Sequence, residues 1–229
     1  MPAAPTSRQP ESPPSWFDSG RGSAMLNAEH ALLMPMIVRA TGSNSCLVLP
    51  SAAAAECAPA TLMRNEVRMW CDARGWHRAG REEGVDSPLP LARSIDLLLA
   101  SHVLSASEDA ALRMSEIARL MVPGGVVLIV EFSPYSPYRW HWHGHVPAPL
   151  PLSRCTELAA AAGLEVTATY ALSPGISQQR PGLLARRGWR PMSWLPLPAY
   201  VVRARKHAAG LTPVGPIVPV GFSLEYPQA

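Results

Sequence analysis

Residues 94–132 read SIDLLLASHVLSASEDAALRMSEIARLMVPGGVVLIVEF, and this stretch decides the fold. Its first part, Ser94–Ser101, is almost entirely apolar in its interior, as is expected of a strand that is covered on both faces. Its last part, Val126–Phe132, is short, rich in β-branched residues and preceded by a pair of glycines. It therefore predicts a second buried strand.

The segment between these two strands predicts a helix. Glu108 and Asp109 suit the positive end of a helix, and Ser107 can cap it. Apolar residues recur on one face at Ala110, Met114, Ile117 and Met121. Pro123-Gly124-Gly125 is expected to end the helix. A strand, a helix and a strand in this order form one βαβ crossover.

The alternation of strands and helices continues on both sides of this stretch. Further strands are predicted at Cys46–Pro50, Glu66–Asp72, Leu164–Tyr170 and Ala199–Arg203, with a weaker one at Arg81–Val85. Further helices are predicted at Ala24–Val38, which Pro35 can kink or split, and after a cap at Ser153, up to Gly163. We therefore predict an α/β fold, in which a doubly wound, mostly parallel sheet carries helices on both faces.

The chain is expected to hold one domain with two extensions. Residues 1–15 are rich in Pro, Ser and Ala, so they predict a disordered leader. Residues 16–206 form the predicted domain, a usual size for one α/β core. Residues 207–229 are again rich in Pro and Gly and predict a flexible tail.

Composition narrows the classes of protein to consider. The formal charge of +3 is too small to indicate a nucleic-acid surface. The four cysteines show no C-x-x-C spacing, which favours reduced thiols and a cytoplasmic location. The first residues lack the pattern of a signal peptide, and no later run is apolar for long enough to predict a membrane span. We therefore expect no membrane partner.

In doubly wound sheets, ligands bind beyond the carboxyl ends of the strands, so the residues that follow each predicted strand are the candidate site. These residues are Pro50, Ser51, Ala52, Asp72, Asp86, Ser101, His102 and Ser133.

Three motifs of this region carry a resemblance to a known family. Asp86–Leu91 (DSPLPL), Ser94–Leu104 (SIDLLLASHVL) and Leu120–Gly125 (LMVPGG) together resemble the type 11 branch of the class I S-adenosylmethionine-dependent methyltransferases. The resemblance implies S-adenosylmethionine as the cofactor and methyl transfer to an unidentified acceptor, with a small molecule expected rather than a protein or a nucleic acid. It identifies no catalytic residue.

The resemblance also implies roles for single residues. Asp86, with Ser87 beside it, maps onto the acid that bonds the adenine amino group, and Asp72 onto an acid that binds ribose hydroxyls. Ser101 and His102 would line the floor beneath the methyl donor. Two alternatives stay open: Asp86 can serve as a cap or Asx-turn before Ser87-Pro88, and His102 can be a packing residue.

One motif departs from the family. Pro50–Glu56 (PSAAAAE) stands where the family carries a glycine-rich turn beside the cofactor, and it contains no glycine. Each added Cβ occupies space where backbone and ligand would approach each other. A catalytically inactive, methyltransferase-like scaffold is therefore the alternative function. Ser105 and Ser133 also replace the acid and the asparagine that the family favours.

Two unusual segments predict no site of their own. The histidines of Arg139–His145 (RWHWHGH) alternate, but no Cys, Asp or Glu accompanies them, so no metal site is predicted. Its tryptophans could instead belong to an aromatic lid together with Tyr135 and Tyr138. The arginines between residues 180 and 190 are interpreted as a solvated loop.

Overall fold

The computed structural model describes residues 15–58, 60–72, 75–79, 92–105, 109–136, 149–173, 182–186 and 198–207. These residues form a 3-10 turn, Trp16–Asp18, and four α-helices. The helices are α1 (Gly20–Ile37), α2 (Ala52–Cys57), α3 (Ala110–Leu120) and α4 (Leu152–Ala161). The strands are β1 (Asn44–Leu49), β2 (Asn65–Asp72), β3 (Gly75–Arg78), β4 (Ile95–Ser101), β5 (Met121–Phe132), β6 (Leu164–Ser173), β7 (Gly182–Arg186) and β8 (Ala199–Lys206).

The eight described strands form one sheet in the order β3-β2-β1-β4-β5-β8-β6-β7. β1 pairs in parallel with β2 and β4, and β4 pairs in parallel with β5. β8 lies antiparallel between β5 and β6, while β3 and β7 are antiparallel edge strands. Five strands thus run in one direction. This confirms the predicted doubly wound, mostly parallel α/β fold.

The sheet is covered on both faces, as its apolar strands predict. Along β4, Leu97 and Leu99 belong to a core with α1, whereas Leu98 and Ala100 belong to a core with α3 and α4. We call these two sides the α1 face and the α3–α4 face. The alternation follows from the two-residue period of a strand, and both sets are apolar because water reaches neither face.

The N-terminal helix begins four residues earlier than the predicted Ala24. Ser19 caps α1 by accepting a hydrogen bond from the Gly22 amide at 3.1 Å. A Cβ on Gly22 would lie 2.4 Å from the Trp16 carbonyl oxygen, so glycine lets the 3-10 turn fold closely against the helix. Pro35 does not split α1, which continues past it to Ile37.

The prediction for Pro123-Gly124-Gly125 was wrong. Helix α3 ends at Leu120, and these three residues lie inside β5. The register with β4 shifts there. Ile95 pairs with Met121 and Leu97 pairs with Val126, so β5 advances five residues while β4 advances two. Gly124 has a φ of +82°, which glycine adopts without steric cost. The glycine pair therefore marks a bulge in the strand.

Two predicted caps also need correction. Asp109, not Ser107, caps α3, because its carboxylate accepts from the Leu112 amide at 2.9 Å. Helix α4 begins at Leu152 after Pro151 and has no side-chain cap, so Ser153 lies within the helix. Gly163 does follow the end of α4, with a φ of +76°.

The remaining strand predictions are confirmed at β1, β2, β4, β6 and β8, with ends shifted by a few residues. The edge strands β3 and β7 were not predicted. β7 takes up part of the segment that was interpreted as a solvated loop. The predicted strand Arg81–Val85 and the lid residues Tyr138, Trp140 and Trp142 lie outside the described residues.

Candidate functional site

The order of the strands creates a crevice at one end of the sheet. From β1 the chain moves outward to β2, and it later returns on the other side of β1 to form β4. Strand order reverses at this point, so the connections after β1 and β4 leave in opposite directions and a ligand can lie between them. Pro50, Ser51 and Ala52 follow β1, Ser101 ends β4, and His102 follows it.

The turn after β1 follows a path that needs no glycine. Ser51 is extended, with φ −156° and ψ 165°, and its hydroxyl caps α2 by accepting from the Ala54 amide at 3.2 Å. Arg93 and His102 are the non-glycine residues with positive φ in the described part of the chain. A residue with a Cβ therefore causes no backbone strain at this turn.

Small side chains line this turn. Ala52 and Ala53 are exposed, while Ala55 is buried against the α1 face. The Ser51 hydroxyl is buried and accepts the capping bond, so its own proton can still be donated. Sequence analysis did not predict α2, since six residues are too few to show a helical period.

The acids predicted to bind the nucleoside are only partly described. Asp72 is the last residue of β2 and pairs with Gly75, the first residue of β3. It therefore lies at the carboxyl end of its strand, beside the strand that borders the crevice. Asp86 and Ser87 lie outside the described residues. Asp96 has a structural role, because one carboxylate oxygen accepts from the Ser43 and Asn44 amides at the start of β1.

His102 is held in an unusual conformation at the end of β4. Its φ is +54°, in the left-handed region, and its amide donates to the Val130 carbonyl at 2.8 Å. Its ring is stacked on Phe132, with ring centroids 4.0 Å apart, and on Phe17 at 5.1 Å. Such strained positions persist where the surrounding structure fixes them, and they are enriched at functional sites.

Two side chains of α1 reach the same end of β4. His102 Nε2 lies 2.8 Å from Glu29 Oε2, and both side chains are fully buried. His30 Nε2 lies 3.4 Å from the Ser101 hydroxyl. Helix α1 therefore supplies a carboxylate and an imidazole to the carboxyl end of the sheet.

Sequence analysis missed Glu29 and His30, although a signal was present. The buried positions of α1 include Leu26, Leu33 and Ile37, and residues 29 and 30 fall on the same stripe. A carboxylate and an imidazole on the apolar side of a helix need partners inside the protein. That pattern predicts a buried polar cluster, but not which residues complete it.

The cluster is incompletely hydrogen-bonded. Glu29 Oε1, His30 Nδ1 and His102 Nδ1 are buried and have no hydrogen-bond partner within the described part of the protein. Burial, and secondarily the charge of His102, lowers the pKa of His30 to about 4, so His30 is neutral at pH 7. We call Glu29, His30, Ser101 and His102 the α1 polar cluster.

A second buried carboxylate, Glu131, lies on the α3–α4 face. One of its oxygens accepts from the Leu104 amide at 2.7 Å, and the other accepts from the Ser105 hydroxyl at 2.6 Å. Burial raises the pKa of Glu131, and the nearby His102 and these hydrogen bonds oppose that shift. Ser105 thus binds an acid supplied by β5. Glu131 fixes the turn that follows His102.

No protein-family model and no curated protein matches the sequence. Solved structures do match. One is an S-adenosylmethionine-dependent methyltransferase from Archaeoglobus fulgidus, with a TM-score of 0.55 and 13% identity over 83% of this chain and 98% of that one. Another is an S-adenosylmethionine-dependent methyltransferase from Thermotoga maritima, with a TM-score of 0.53 and 15% identity over 81% and 93%.

These matches establish the fold. This is the Rossmann-like class I methyltransferase fold. At such low identity the likeness extends to the architecture and not to the acceptor, and fold alone does not fix function.

Two further observations bear on partners. Among the described helices, none is both long and apolar enough to cross a membrane. The described residues contain no group of three or more His, Cys, Asp or Glu side chains arranged to hold a metal ion, and His141, His143 and His145 lie outside them.

Proposed function

We propose that this protein binds S-adenosylmethionine in the crevice beyond β1, β2 and β4 and methylates a small-molecule acceptor. The observation that carries the proposal is the reversal of strand order between β1 and β4, which opens the sheet where this fold holds ligands. When bound, S-adenosylmethionine supplies an activated methyl group, so the protein's main task is to orient donor and acceptor.

The residues present fit this cofactor. The turn Pro50-Ser51-Ala52 offers a buried hydroxyl donor and small side chains, which suit a ligand that carries a carboxylate and approaches the backbone closely. Asp72 ends the strand beside it and would accept from ribose hydroxyls. Asp86 and Ser87 would bind the adenine, and Ser101 and His102 would line the floor of the crevice.

The geometry of the turn favours this proposal over an inactive scaffold. Loss of cofactor binding would require the glycine-free turn to be strained or blocked. The backbone at Ser51 is extended, and Ala52 and Ala53 are exposed, so the turn is neither strained nor filled by large side chains. A cytoplasmic location belongs to the same proposal, since the four cysteines of the sequence show no C-x-x-C spacing.

Calorimetric titration with S-adenosylmethionine and S-adenosylhomocysteine tests the proposal. We expect saturable binding that Asp86→Ala weakens about tenfold, because a hydrogen bond to a charged group contributes about 1.5 kcal/mol. Glu157→Ala is the matched control, since it removes an exposed carboxylate on α4 and should leave affinity unchanged. A folded protein that shows no heat at high ligand concentration would overturn the proposal.

A further inference from the structure

We propose that Arg68 is a positioning residue for the cofactor. It holds the end of α2, and through α2 it fixes the turn Pro50-Ser51-Ala52 in the form that binds S-adenosylmethionine. This inference rests on the proposed function and deepens it, because Arg68 lies in the middle of β2, away from the carboxyl ends of the strands. It starts from two hydrogen bonds, in which Arg68 Nη1 donates to the Glu56 carbonyl at 3.1 Å and to the Ala55 carbonyl at 3.4 Å.

Helix α2 is too short to be stable without contacts to the rest of the protein. It has six residues, whereas an isolated helix in water needs about 12 to 15. Its share of the core is small, since the buried side chains between residues 52 and 58 are those of Ala55 and Ala58, each a single methyl group. Apolar packing therefore holds α2 weakly, and the polar contacts at its two ends become important.

The two ends of α2 are held by different residues. At the start, the Ser51 hydroxyl accepts from the Ala54 amide, so a residue that would face the cofactor is also the cap. At the end, the last four carbonyl groups have no partner within the helix, as in every α-helix. Arg68 donates to two of them. Without Arg68, we expect fraying to reach Ser51, because a helix of this length has no interior turn that would stay formed.

Arg68 is itself fixed by a carboxylate. Its Nε donates to Glu66 Oε1 at 2.7 Å, and the two side chains are only 26% and 15% exposed. The second oxygen of Glu66 accepts from the Thr61 amide, in the segment that follows α2. Burial raises the pKa of Glu66, but the hydrogen bonds from Thr61 and Arg68 outweigh this effect and lower it, so Glu66 is ionised at pH 7. Glu66 therefore orients Arg68 toward the end of α2.

The arrangement requires a guanidinium group. Arg68 directs Nε to Glu66 and Nη1 to the carbonyls of α2, and the planar guanidinium offers both donors at fixed angles. A lysine would bring a single ammonium to the same place, which keeps the charge but not this geometry. Arg68→Lys is therefore the conservative variant, and it should restore part of what Arg68→Gln loses.

Calorimetric titration with S-adenosylhomocysteine tests the effect on cofactor binding. For Arg68→Gln we expect the dissociation constant to rise about tenfold, because a ligand that binds only molecules with a formed turn loses affinity in proportion to their fraction. Arg68→Lys should lie between this variant and the wild type. Arg154→Gln is the matched control, since it removes an exposed arginine that also pairs with a carboxylate, Glu157 at 3.3 Å, and should leave the affinity unchanged.

Amide hydrogen exchange tests the local step without any ligand. The Ala54 and Ala55 amides donate to the hydroxyl and the carbonyl of Ser51. In Arg68→Gln both should exchange at nearly the rate of an unstructured chain, whereas the amides of β4 and β5 should keep their protection. A residue that only stabilised the whole fold would instead change exchange throughout the protein. That result, or unchanged exchange at Ala54 and Ala55, would overturn the inference.

The outcomes separate this inference from the proposed function. A wild type that binds no cofactor overturns the proposed function, and with it the effect on affinity that we assign to Arg68. Cofactor binding by the wild type with an equal dissociation constant for Arg68→Gln overturns this inference alone. Weaker binding, together with loss of protection confined to α2 and partial recovery in Arg68→Lys, supports both.

Discussion

Glu29 and Glu131 are both fully buried carboxylates near the carboxyl end of the sheet, but they lie on opposite faces and differ in their hydrogen bonds. Both oxygens of Glu131 accept hydrogen bonds, from Leu104 and Ser105. Glu29 bonds to His102 through one oxygen, and its other oxygen has no partner in the described structure.

The difference is between a buried carboxylate whose hydrogen bonds are complete and one whose hydrogen bonds are not. A buried charge is costly unless its hydrogen bonds are complete, so the complete set around Glu131 indicates a residue that holds a turn in place. The incomplete set around Glu29 and His102 leaves buried polar atoms without partners, which costs stability.

The largest effect that we expect comes from Glu131. Glu131→Leu would leave the Leu104 amide and the Ser105 hydroxyl buried without an acceptor, and should lower the free energy of unfolding by about 4 kcal/mol. Urea unfolding would measure the loss. Glu131→Gln keeps an acceptor and the shape, so it should cost less. If Glu131→Leu is no more destabilising than Glu29→Leu, the two carboxylates do not differ in their contribution to stability as expected.

His30 and Glu131 should give opposite pH dependences of stability. The pKa of His30 is lowered from 6.5 to about 4 in the folded state, so the unfolded chain takes up a proton first as the pH falls. Stability is then complete above pH 6.5 and decreases by about 3 kcal/mol as the pH falls to about 4. His30→Gln should flatten unfolding free energies measured across that range, and an unchanged slope would contradict the assignment.

The raised pKa of Glu131 acts in the other direction. The folded protein binds this proton more readily than the unfolded chain does. Its contribution is therefore present at acidic pH and is lost as the pH rises through the folded-state pKa. Glu131→Gln should make the loss of stability on acidification steeper, whereas His30→Gln makes it shallower.

The smallest expected effect on stability is that of Glu29→Gln. The variant keeps a hydrogen bond to His102 and removes a charge whose second oxygen has no partner, so the change in unfolding free energy should stay within about 1 kcal/mol. Urea unfolding of this variant beside Glu131→Leu provides the comparison. A loss as large as that of Glu131→Leu would show that Glu29 is a structural acid as well.

The sequence predicted those parts of the fold that depend on local pattern. β4, α3 and β5 follow from apolar runs and helical spacing, and the positions of Ser51 and Ser101 follow from where strands end. The bulge at Pro123-Gly124-Gly125 was missed, because proline and glycine are common both at helix ends and at irregularities in strands. β3 and β7 are short edge strands with little periodicity.

The centre of the candidate site could not be predicted in the same way. Glu29 and His102 are 73 residues apart, and nothing local to either residue indicates the other. The pattern of α1 reveals a buried carboxylate, and the end of β4 reveals a histidine at a ligand edge. That they form a pair depends on how α1 packs over the sheet, which is a tertiary property.

The position of β8 has a consequence for the order in which the chain is made. β8 contains the last described strand residues, yet it lies between β5 and β6, with Val201, Val202 and Ala204 fully buried. During synthesis, β5 and β6 emerge first and have no partner on their facing edges until β8 has also emerged. A ribosome that stalls before this point would hold a nascent chain with two open, apolar strand edges, which readily pair with other chains.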